Sequence, residues 1–145
     1  MIRLALYKAP GDISDKLIRL WTRSAYSHCE LVLPDGRFVS SSPRDGGVRA
    51  KILDADPDSW DFLPLPWLEQ SAVEALLETE AGAGYDWPGI LGSQIFPLGM
   101  QSRSRWFCSE FCAAAQGLEH PQRYSPGALA ELARWALDKG LVLTP

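Results

Sequence analysis

Turn chemistry constrains this chain more than any other feature. Pro10-Gly11-Asp12, Pro34-Asp35-Gly36 and Pro43-Arg44-Asp45-Gly46-Gly47 punctuate its first third, and each combines a fixed φ with residues that tolerate tight turns. The segments that flank them suit strands: residues 2–8, 27–33, 37–42 and 48–53, with a further strand at 60–65 whose proline argues for a sheet edge. Pro34-Asp35-Gly36 joins two of them as a hairpin. One early segment breaks the rhythm. Ile13, Leu17, Leu20 and Trp21 recur at helical spacing, which predicts a short amphipathic helix over 13–23 capped by Asp12 or Ser14.

The second half reads differently. Ser71-Ala72-Val73-Glu74 fits a capping box, opening a helix expected to end near Gly82 or Gly84. Tyr85 to Gly89 reads as a turn, followed by a helical piece around Ile90 to Phe96 and a helix over Ser109 to Gln116. Ser125-Pro126 opens a last helix that closes at Gly140, after which Leu141-Val142-Leu143 is expected to rejoin the sheet. Strands cluster early and helices late. That order predicts a single α+β domain over 1–145, a mostly antiparallel sheet packed against helices.

Composition narrows the partners. The net charge is −4 without a block of like charges, so nucleic acid is not the expected ligand. No apolar run reaches membrane-spanning length. Residues 1–8 read as a strand, not as a secretory leader, and three cysteines are too few and odd in number for a disulfide scaffold; both point to a reducing cytoplasm.

The chemistry concentrates at Trp106-Phe107-Cys108-Ser109-Glu110-Phe111-Cys112. A thiol in the first turn of a helix meets unpaired backbone N–H groups and the positive dipole end, which favours thiolate. Two histidines are present. His28 lies on a strand two residues from Glu30, so their side chains share a face while Cys29 points the opposite way, into the core. His120 sits in a loop before Pro121, where exposure is the rule. Cys112, one helical turn beyond Cys108, falls on a packing stripe with Phe111 and Ala115. Zinc held by His28, Cys29, Cys108 and Cys112 is the competing use of these residues, against which stand the absence of a second knuckle and the opposed directions of His28 and Cys29.

Gly82-Ala83-Gly84-Tyr85-Asp86-Trp87 followed by Phe107-Cys108-Ser109-Glu110 resembles the nucleophile region of NlpC-type cell-wall cysteine peptidases, with the histidine strand moved ahead of the cysteine. That order is similar to the circularly permuted branch, the YiiX-like and lecithin:retinol acyltransferase-like proteins, whose hairpin His28 to Gly36 resembles; Ser125-Pro126 resembles the segment after the nucleophile helix. The resemblance spans about residues 26–135. It implies a permuted papain-like fold and a cofactor-free, metal-free thiol hydrolase working through an acyl-enzyme. Cys108 would be the nucleophile and His28 the base. The orienting position, twelve residues on, is Ser40, with Glu30 as the alternative, and Tyr85 would wall the substrate cleft. The implied substrate is a peptide amide, as in bacterial or prophage cell-wall enzymes acting after release. A lipid ester or acyl transfer, or an inactive binding module of the same fold, are the alternatives. Oligomeric state is not legible.

Overall fold

The structure is a computed structural model in which residues 1–42, 44–81, 84–85 and 105–140 are described. Its centre is a five-stranded antiparallel sheet of β1 (Arg3–Tyr7), β2 (His28–Val32), β3 (Arg37–Ser42), β4 (Gly47–Ile52) and β5 (Trp60–Pro64), ordered β4-β3-β2-β1-β5. The chain is thus α+β, as the order of strands and helices predicts. β5 is an edge strand, as its proline requires. Gly36 adopts φ 89° to close the β2–β3 hairpin, a conformation that a side chain would strain.

Strand alternation divides the sheet into two chemistries. Leu4, Leu6, Cys29, Leu31, Val39 and Val48 enter one core together with residues of α3 (Cys108–Ala115) and α4 (Pro126–Asp138). The other face carries a smaller cluster, Ala5, Val32 and Phe38 against Trp60 and Phe62, and beside it the polar residues His28, Glu30 and Arg49. Ser125 caps α4, accepting from the Ala128 N–H, with Pro126 at the first helical position. A short 3₁₀ turn, Pro121–Arg123, joins α3 to it; His120 there is exposed. Among the described residues no helix is long and apolar enough to cross a membrane.

The helix over 13–23 forms as expected, and two other expectations need correction. α1 (Ile13–Thr22) has the expected Asp12 cap, in a reciprocal box with Asp15, but its apolar stripe faces outward, with Ile13, Leu17 and Leu20 exposed. Polar anchors decide its orientation: the Arg19 guanidinium donates to the Lys8 and Ala9 carbonyls and to the Ser27 hydroxyl, and Asp15 is buried. α2 (Gln70–Glu80) starts after Glu69, not at Ser71, and has no side-chain cap. Glu74, the would-be box partner, instead accepts from Arg37 and Gln70. Gly84–Tyr85 forms a strand, β6, paired in parallel with β7 (Arg105–Trp106), so Tyr85 belongs to a strand, while residues 86–89 of the expected turn lie outside the described residues. α2 ends at Glu80, close to the expected Gly82; the expected helical piece at 90–96 and the last strand at 141–143 lie outside the described residues.

Candidate active site

Cys108 is the first residue of α3. Phe107 precedes it in extended conformation and makes no side-chain cap bond. The approach to the helix is fixed at both ends of Trp106: its carbonyl accepts from the Ser41 hydroxyl at 2.7 Å, and its indole N–H donates to Glu80 at 2.8 Å. One turn on, the Ser109 hydroxyl donates to the Tyr124 carbonyl at 2.6 Å. The thiol is held on a helix clamped to the sheet and to the following loop.

His28 opens β2. The ladder between β2 and β3 pairs only Leu31 with Val39 and Val32 with Phe38 among the described residues, so the strands part toward His28. In that opening the Cys108 thiol meets the His28 ring, the Cys29 thiol and the Cys29 backbone N–H. A nucleophile from the helix side and an imidazole from the other side thereby reach one another. The His28 ring, 18% exposed, also lies edge-on to Trp60 at 6.3 Å between centroids.

The residue holding His28 is Glu30, not Ser40. Glu30 Oε1 lies 3.0 Å from His28 Nε2, and its side chain is only 2% exposed. Ser40 is fully buried, and its hydroxyl donates to the Cys29 carbonyl at 2.8 Å, supplying the bond that the parted ladder leaves unmade. Counting along the chain finds Ser40 on the right strand but cannot see that its hydroxyl is already used.

Glu30 is in turn gripped by Arg49, which the sequence reading did not single out. The guanidinium spans both carboxylate oxygens, at 2.6 and 2.9 Å, a bidentate clamp. Arg49 Nε donates to Asp45 at 2.7 Å, and Lys51 donates to both Asp45 oxygens. A chain of alternating charge thus runs from His28 through Glu30, Arg49 and Asp45 to Lys51. The available signal was Glu30 itself. A carboxylate inside an otherwise apolar strand demands a cation, and Arg49 alternates onto the same face as Glu30.

Each protonation state follows from these neighbours. Burial alone would lower the His28 pKa, but Cys108 and Glu30 outweigh it and raise it from 6.5 to about 10. Burial would raise Glu30, but hydrogen bonds from Arg49 and His28 bring it to about 2. The Cys29 thiol draws Cys108 well below its ordinary value; burial opposes this, and the His28 charge reinforces it. Cys29, pushed up by burial and by its bonds to Cys108 and Cys112, stays protonated. Thiolate beside imidazolium is the resting state these directions describe.

No protein-family model matches the chain, and no curated protein matches its sequence.

A cleft of about 480 Å³ opens on the polar face, lined by His28, Glu30, Arg49, Trp60, Tyr7 and Ile18 among others. Cys108, 5% exposed, is not one of its lining residues. The backbone of Tyr85 lies beside Trp106, in register across the β6–β7 pair; its side chain, on which the cleft-wall expectation rests, is outside the described part. Among the described residues no group of three or more His, Cys, Asp or Glu is arranged to hold a metal ion.

Proposed function

We propose that the protein is a thiol hydrolase of permuted papain-like type that cleaves an amide bond in a cell-wall peptide through an acyl-enzyme on Cys108. One observation carries the reading: a helix-start thiol and a strand histidine meet, and a buried, arginine-clamped carboxylate holds the far side of the imidazole. With Nε2 occupied by Glu30, Nδ1 is the nitrogen left to exchange a proton with sulfur. Cys108 sulfur attacks the carbonyl carbon, and the developing oxyanion is met by the Cys108 N–H at the helix start. Imidazolium then gives its proton to the leaving amine. Neutral His28 next takes a proton from water, and the resulting attack on the thioester frees the acid and restores Cys108. Glu30 orients the ring throughout and stabilises the imidazolium whenever it forms, as the third member of such a triad does.

The preference for a cell-wall peptide rests on the sequence resemblance. A lipid ester is the second reading, favoured by the exposed ridge of Ile13, Leu17 and Leu20 on the helix whose Ile18 lines the cleft. Purified protein incubated with peptidoglycan peptide fragments and, separately, with phospholipid esters distinguishes the two. The expected result is peptide cleavage with an acyl adduct on Cys108 by mass spectrometry, lost in His28→Ala. Ester cleavage alone would favour the lipid reading. Absence of turnover, with Cys108 alkylated no faster than Cys29 or Cys112, would leave a binding module.

A further inference from the structure

The proposed mechanism uses one of three thiols that the fold gathers together. Cys29 projects from β2 toward the helices, and Cys108 and Cys112 stand one turn apart on α3 above it; all three are free, buried and part of the same core cluster. The Cys29 thiol packs near enough to both of the others for each to push its ionisation up. Such proximity is not needed for packing, since an alanine or valine would fill a strand position under a helix without placing a second sulfur on the nucleophile.

We infer that Cys29 is the resolving thiol of a reversible disulfide with Cys108, so that a peroxide silences the site without destroying it. The inference rests on Cys108 being the nucleophilic thiolate. In the first step Cys108 sulfur attacks a peroxide oxygen and the O–O bond breaks. The sulfur is oxidised to sulfenic acid, and the departing hydroxide takes the His28 proton and leaves as water. In the second step the Cys29 thiol attacks the sulfenic sulfur, the S–O bond breaks, and the hydroxyl leaves with the Cys29 proton as a second water. A dithiol reductant returns both thiols.

Geometry selects the partner. Cys108 and Cys112 are related by i and i+4 on one helix, where β-carbons stand about 5–6 Å apart, further than a disulfide spans. Cys29 lies on a different element and faces the nucleophile across the helix–sheet interface, free of that restriction. Its thiol is also the neighbour that most lowers the Cys108 value, so the two sulfurs lie on facing elements of one buried cluster.

The test treats reduced, full-length protein with equimolar hydrogen peroxide, blocks the remaining thiols and maps the linkage by mass spectrometry. The expected product is a Cys29–Cys108 disulfide, with the Cys108 alkylation rate by iodoacetamide falling more than about tenfold and recovering with dithiothreitol. Cys29→Ser, which keeps the volume and a hydrogen-bond donor, is expected to form no disulfide and to accumulate dimedone-reactive sulfenic acid on Cys108. A Cys29–Cys112 linkage, or sulfinic Cys108 beside a free Cys29 in the native chain, overturns the inference while leaving the hydrolase reading intact. If reduced Cys108 is alkylated no faster than Cys112, both fall.

Discussion

On the helix-packed face of the sheet, Leu4, Leu6, Leu31 and Val39 are sealed against α3 and α4; on the opposite face the same strands present Glu30, Arg49 and His28 beside an open cleft. The first face is held by apolar burial, which is indifferent to pH and tolerant of reshaping. The second is held by directed charge pairs, in which removing either partner strands the other. The candidate site draws on both, taking its nucleophile from the dry side and its base from the polar side. The two meet only where β2 and β3 part. The difference teaches that the hydrophobic core positions the thiol, whereas the charged chain sets its protonation.

Mutations that break the charged side without touching the core should separate these roles. The largest effect is expected from Glu30→Gln, which keeps shape but removes the charge that holds imidazolium. The rate of acyl transfer should fall by about a hundredfold, and the alkaline limb of its pH profile should move to lower pH, because the His28 value near 10 depends in part on Glu30. An unchanged limb would show that Glu30 does not hold the base. Arg49→Leu should cost about 3 kcal/mol in urea unfolding, since it leaves a carboxylate that is 2% exposed without its bidentate partner. Comparable truncation on the other face, Leu31→Ala, should cost a similar amount through a cavity yet leave the pH limb in place.

A subtler separation comes from proton counting. His28 is raised, so its contribution is full below pH 6.5 and is lost as pH rises through about 10. Cys108 is lowered, so its contribution is full above pH 9.0 and is lost as pH falls through its depressed folded value. Between pH 6.5 and 9.0, wherever pH lies above the depressed Cys108 value, the folded pair holds one proton, on nitrogen, and the unfolded pair also holds one, on sulfur. The pair therefore adds no pH slope to stability across that window. Above pH 9.0 the native unfolding free energy should fall with rising pH, by up to about 1.4 kcal/mol per unit, whereas Cys108→Ala, which removes the largest causes that raise His28 and leaves Glu30 alone against burial, should fall less. Chemical denaturation at several pH values measures this, and parallel native and mutant curves would deny the ion pair. The smallest effect belongs to Ser40→Ala. Losing the donation to the Cys29 carbonyl should cost about 1 kcal/mol, with the alkaline limb unmoved. A moved limb would restore Ser40 as the orienting residue.

Local features of the sequence were legible because their causes are local. The Asp35-Gly36 turn, the alternation that puts His28 and Glu30 on one face, and Pro126 at a helix start depend on a few adjacent residues. What escaped depends on distant partners. Arg49 becomes part of the site only through the β3–β4 register, Ser40 leaves it because a backbone carbonyl captures its hydroxyl, and α1 turns its leucines outward because Arg19 ties the opposite side to the end of β1. Glu74 fails to cap α2 for the same reason, drawn away by Arg37 from another strand.

The proton-holding chain from His28 to Lys51 lies on β2, the β3–β4 turn and β4, whereas the thiol is 57 positions beyond Lys51. During synthesis the base, its carboxylate and the arginine clamp can assemble while Cys108 has yet to leave the ribosome. The nascent sheet then carries a prepared acid–base group with no sulfur to act on. Reactivity begins with the docking of one eight-residue helix.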